Sequence, residues 1–83
     1  MASIVTRIER HNGSVSTFEN EYDTDRRAEL TFKVMLAQAE LEAYDKGTRF
    51  YYDPSHNNPD KFNYDHVDIH GNVTSIWYVS LKF

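Results

Sequence analysis

The sequence predicts an α+β fold, a single domain over residues 1–83 in which one long helix packs on an antiparallel sheet in the order ββαβββ. Three observations carry this expectation. One stretch, EYDTDRRAELTFKVMLAQAELEAYDKG, holds both a start and a stop signal for a helix. Two turn signals, Asn12-Gly13 and Gly71-Asn72, each join runs rich in β-branched and aromatic residues. No second segment reads as a helix, so the remaining runs must find each other as strands.

Residues 3–10, SIVTRIER, alternate loosely and are rich in β-branched types. Asn12-Gly13 follows, and both central residues of a type I′ turn need positive φ, which Asn and Gly tolerate. The chain then returns through VSTFENE, residues 15–21. A two-residue turn pairs Arg7 with Phe18 and Ile8 with Thr17, whereas a loop one residue longer pairs Ile8 with Phe18. The two registers put opposite faces toward the core, and the sequence leaves the choice open.

The helix is expected from about residue 25 to 46. Asp23 or Thr24 caps the free N–H groups, Asp25 and Glu29 sit near the positive end of the dipole, and Lys46-Gly47 supplies a cation and a left-handed stop. Beyond it TRFYYD reads as a strand. DPSHNNPDK, with two prolines each preceded by Asp or Asn, reads as a loop. KFNYDHVDIH, a Gly71-Asn72 turn and VTSIWYVSLKF complete the domain as a hairpin.

The totals bound the function. Eighty-three residues make one domain, with room for one modest core. There is no cysteine, which excludes disulfides, thiolate metal sites and cysteine nucleophiles, and favours a cytoplasmic setting. Neither a secretory leader nor an apolar membrane span is legible. A net charge of -4 argues against non-specific nucleic-acid binding, which needs clustered Lys and Arg.

Two apolar stripes run along the helix. Ala28, Phe32, Met35, Leu36, Ala39 and Ala43 form a broad one, suited to lying on a sheet. Leu30, Val34, Ala37, Leu41 and Tyr44 form a second at intervals of 4, 3, 4 and 3, the spacing of a seam that meets another helix. One helix in so short a chain buries both only if the sheet wraps around it; otherwise one stripe docks a second copy or a target protein.

The last hairpin repeats that surplus. A two-residue Gly71-Asn72 turn pairs His66 with Trp77, Tyr64 with Val79 and Phe62 with Leu81 on one face, and Val67 with Ile76 and Asp65 with Tyr78 on the other. A single helix covers one face, which leaves Val67, Ile69, Ile76 and Tyr78 as a candidate contact cluster. Residues 73–83, about 37 Å of strand at about 3.4 Å per residue, also suggest an edge open to strand addition. The loop between the prolines is expected to project as a recognition element, with Tyr52, His56, Asn57, Asn58 and Asp60 as candidate contacts.

Chemistry-bearing patterns are sparse. His66, Asp68 and His70 alternate and would share one face of a strand, the nearest approach to a metal set. Their expected neighbours across the hairpin, Trp77, Ser75 and Val73, are poor ligands, so no metal or cofactor is expected. A calcium loop starting at Asp53 has Asn58 where Gly is needed and Tyr64 where a bidentate Glu is needed. No serine sits in a nucleophile-elbow pattern and no glycine-rich phosphate cradle exists, so catalysis is not expected. A His66–Asp68 acid–base pair is the residual enzyme reading, and spaced carboxylates mimicking a nucleic acid are another, although Lys and Arg interrupt them.

The layout of RHNGSV, AELTFKVMLAQAELEAY and FNYDHVDIHGNVTSIWYVSLKF resembles the compact, cysteine-free accessory proteins of bacteriophages and other mobile elements. That resemblance implies a non-enzymatic inhibitor acting in the host cytoplasm by sterically occluding a host protein, such as a defence nuclease complex. The alternative is a homodimeric accessory protein that uses the same apolar surface on itself.

Overall fold

The computed structural model describes residues 2–52 and 60–83. The strands are β1 (Ser3–Arg10), β2 (Val15–Glu21), β3 (Phe50–Tyr51), β4 (Lys61–Val67) and β5 (Val73–Lys82); the helix α1 spans Asp25–Lys46. They form one helix on a five-stranded antiparallel sheet of order β2-β1-β5-β4-β3. The α+β class and the ββαβββ order are therefore as the sequence predicts.

The helix ends follow from capping chemistry. Thr24 is extended at its start, and the Arg27 N–H donates to Thr24 Oγ1 at 3.1 Å. Gly47 takes the left-handed conformation at φ 66°, and its N–H donates to the Ala43 carbonyl, which closes the last turn. Because β2 and β3 occupy opposite edges of the sheet, the α1 connection crosses from one side of the sheet to the other. On the way it packs on β1, β3, β4 and β5.

The core lies between the broad helix stripe and one face of the sheet. Ala28, Phe32 and Ala39 are buried against Ala2, Ile4, Phe62, Val79 and Leu81, with Met35, Leu36, Phe50, Tyr52 and Tyr64 packed around them. An aromatic series joins the layers: Phe62 lies 5.3 Å from Phe32, 6.0 Å from Phe50 and 6.1 Å from Tyr64 between ring centroids. Phe18, opposite Thr6 on β2, shares this face yet is 53% exposed, which marks where the helix's cover ends.

Both hairpin registers differ from expectation. In the first, Thr6 faces Phe18, Arg7 faces Thr17 and Ile8 faces Ser16, which is neither sequence alternative. The Arg10 N–H donates to the Ser14 carbonyl and the Gly13 N–H to the Arg10 carbonyl, leaving a three-residue loop. Gly13, at φ 91°, supplies the positive-φ residue that such a loop needs. Asn12 accepts from the Ser14 N–H at its Oδ1, 3.0 Å away, which favours this loop over the tighter turn.

In the second hairpin Phe62 faces Val79, Tyr64 faces Trp77 and His66 faces Ser75, a shift of two residues. A two-residue shift leaves every one of those side chains on its predicted face. The cause is a longer connection. Asp68 Oδ1 accepts from the His70 N–H at 2.8 Å and the Asn72 N–H at 3.0 Å, so the chain leaves the ladder at Val67 and not at the expected His70. Strand β5 is also central, paired with β1 and β4, so it offers no edge for strand addition; the edges are β2 and β3.

Candidate functional site

Four regions were candidates in the sequence, and the structure separates them. The narrow helix stripe is the largest exposed apolar feature on α1. Leu30 is 46% exposed, Val34 55%, Leu41 61% and Tyr44 84%. Ala37, between them, is exposed as well. At 100° per residue this stripe points directly away from the sheet, because Phe32 and Ala39 on the opposite side are buried. The sheet therefore does not wrap the helix, and the choice left open by the sequence falls to an outward seam.

The proposed hairpin cluster is split: Val67 and Ile69 line one open cavity with Lys46, Asp68 and Gly71, and Ile76 and Tyr78 do not reach it. Val67 lies next to a register shift between His66 and Val67 and is buried. Ile69 sits in the turn, 95% exposed, beyond the end of β4. Ile76 and Tyr78 are half-buried on the face away from the helix, the first opposite Asp65 and the second opposite Asn63.

That outer face is built as a polar and aromatic surface. Arg7, Tyr78, Asn63 and Tyr51 stand in one transverse row across β1, β5, β4 and β3. The Arg7 guanidinium lies 4.6 Å from the Tyr78 ring centroid, a cation–π contact. Arg49 donates to Asp65 Oδ1 from Nε at 3.2 Å and Nη2 at 3.1 Å, and to Asn63 Oδ1 from Nη1 at 2.8 Å. Arg49 is thus held by a carboxylate and an amide, and Arg7, over the Tyr78 ring, also lies 3.8 Å from the Glu9 carboxylate.

The histidine–aspartate run is dispersed by the same longer turn. His66 lies on β4 with its ring 5.5 Å from that of Trp77, stacked on it. Asp68 and His70 are in the turn, not on the strand face predicted for them, and the Asp68 carboxylate is occupied by backbone N–H groups. Among the described residues no three His, Asp or Glu side chains are placed to hold a metal ion.

One pair of titrating groups is perturbed between helix and sheet. Glu42 accepts from Lys46 Nζ at 2.7 Å, and that hydrogen bond holds its carboxyl below the usual range despite an opposing desolvation effect. Burial pushes the Tyr64 hydroxyl up, with the Glu42 charge adding to it. Both border a cavity of about 160 Å³ with Met35, Gln38, Phe62 and Trp77. That volume is below the usual size of a ligand pocket, and no Ser, Thr or Lys stands among the described residues that line it.

Of the loop candidates, Tyr52 packs against the core and Asp60 is half-buried, its carbonyl accepting from the Leu81 N–H. His56, Asn57 and Asn58 lie outside the described residues. Sequence reasoning missed Val15 and Phe18 on the edge strand β2, both more than half exposed. Their signal was the edge position itself, which depends on strand order and not on local pattern. No helix among the described residues is long and apolar enough to cross a membrane. Compared with protein-family models, curated proteins and solved structures, the chain matches none.

Proposed function

We propose that this protein is a non-enzymatic protein-binding module whose docking surface is the outward stripe of α1. One observation carries the reading: Leu30, Val34, Leu41 and Tyr44 are large, exposed and aligned on the side of the helix that the sheet does not touch. Each such side chain stabilises a contact by about 1.5–3 kcal/mol when fully buried, before the costs of association. On a permanently solvated face that apolar alignment has no role. In its finer form the reading is a phage-type inhibitor that occludes a host protein in the cytoplasm.

A second reading, a homodimeric accessory protein, is supported by the 4-3-4-3 spacing of the stripe, which suits a helix of like geometry. Co-purification from a bacterial lysate compares wild type with a Val34→Glu/Leu41→Glu variant. A stoichiometric partner that the folded variant loses supports the inhibitor; a clean dimer that the variant dissolves supports the accessory protein. A variant that keeps the same partner or the same dimer overturns the stripe as docking surface.

A further inference from the structure

We propose that the stripe pairs with the same stripe of a second copy, the two α1 helices running antiparallel; this rests on the stripe being a docking surface. The argument is one of register and charge. Placing Leu30 opposite Leu41 of the second copy also places Val34 opposite Ala37, and by symmetry each contact occurs twice. This register uses four of the five stripe positions against each other, and the small Ala37 lets the helices approach closely. Tyr44 is left facing Arg27 of the second copy at each end of the seam, a cation over an aromatic ring.

The flanks then decide the direction. Arg26, Lys33 and Glu40 line one side of the stripe, and Thr31, Gln38 and Asp45 the other. In an antiparallel pair each flank meets the same flank of its mate. Lys33 then stands beside Glu40 of the second copy twice, and Thr31 beside Gln38 twice. In a parallel pair each flank meets the opposite one, which sets Glu40 against Asp45 twice and gives Lys33 only Gln38. Opposite charges favour the first arrangement and like charges oppose the second.

Lys33 and Glu40 are exposed and enter no ion pair among the described residues, unlike Arg26, Arg27, Glu42 and Lys46. They are therefore free to serve a second chain. The two flanks together are neutral, Arg26 and Lys33 offsetting Glu40 and Asp45, so the contact escapes the repulsion expected between chains of net charge -4. The product is a four-layered particle, sheet, helix, helix, sheet, with both outer sheet faces left open.

Sedimentation equilibrium at low salt on wild type, Lys33→Glu, Glu40→Lys and the double Lys33→Glu/Glu40→Lys swap tests this. Each single change turns two attractions into two repulsions and should weaken the dimer about four- to thirtyfold. The double swap restores the pairing and should return to within about threefold of wild type. It also controls for folding, since it keeps the wild-type composition. A wild type that stays monomeric at millimolar concentration overturns the second copy as occupant while leaving a foreign partner to be sought. A dimer dissolved by Val34→Glu/Leu41→Glu but indifferent to all three charge variants overturns the antiparallel arrangement alone. A dimer indifferent to Val34→Glu/Leu41→Glu overturns the docking reading as well.

Discussion

Replacing Phe62 by alanine tests how the domain is held together. Phe62 is 3% exposed and sits at the junction of three ring contacts, to Phe32, Phe50 and Tyr64. Removing such a ring loses its transfer energy and leaves a cavity under the helix, together costing about 3–5 kcal/mol. A chain of 83 residues has about 4–12 kcal/mol of stability in all, at about 0.05–0.15 kcal/mol per residue. The variant is therefore expected to melt at least about 12 °C below wild type, at roughly 4 °C or more per kcal/mol. Leu41→Ala is the matched control, because Leu41 is on the opposite side of the neighbouring helix and well exposed. In dilute solution it should change stability by less than about 0.5 kcal/mol. Thermal and urea melts followed by circular dichroism read both. A loss under about 1 kcal/mol for Phe62→Ala, or an equal loss for the two variants, would refute a core confined to one face of α1.

Thr24→Ala removes the acceptor for the Arg27 N–H and should cost about 1 kcal/mol, read as a melting point about 4–8 °C lower. Gly47→Ala forces a left-handed backbone on a residue with a Cβ; nothing lies within 4 Å of that atom, so the cost is the backbone's alone, about 1 kcal/mol by urea denaturation. Burial raises the Tyr64 hydroxyl above its ordinary value of 10.0, so its contribution is intact below that pH and is lost as pH climbs through the folded value. A Tyr64→Phe variant should accordingly show a flatter fall in melting temperature above pH 10.0. The Glu42 carboxyl runs the other way: its contribution is present above 4.5 and fades as pH drops below, and Glu42→Gln should remove that small acid-side slope. Zinc or nickel at millimolar excess should leave the melting temperature unchanged; a rise that His66→Ala abolishes would show that the dispersed His66, Asp68 and His70 reconverge on a metal.

The helix was legible to the residue because its boundary signals are local. Thr24 and Gly47 act on N–H and C=O groups within one turn of themselves. Its two stripes were equally legible, since 3.6-residue periodicity needs no knowledge of the partner. Which stripe stayed outside was not, because that depends on how far the sheet curls. The hairpin registers were illegible for a sharper reason. Asn12-Gly13 and Gly71-Asn72 are compatible with several loop lengths, and side-chain acceptors at Asn12 and Asp68 selected longer ones. Strand order escaped as well: β5 pairs with β1 across most of the chain's length, and nothing in VTSIWYVSLKF distinguishes a central strand from an edge. The expected strand-addition edge came from that misreading, and the expected Val67, Ile69, Ile76 and Tyr78 cluster from the shorter turn, which kept Val67 and Ile69 in regular strand.

The claim that the outward face of α1 pairs with a second copy is tested most directly by amide chemical shifts followed on dilution from millimolar to micromolar protein. The account predicts concentration-dependent shifts confined to Arg27, Leu30, Lys33, Val34, Ala37, Leu41 and Tyr44, with Phe32, Ala39 and the strands still. Shifts centred instead on the outer sheet row of Arg7, Tyr78 and Asn63, or on the exposed β2 edge at Val15 and Phe18, would contradict it.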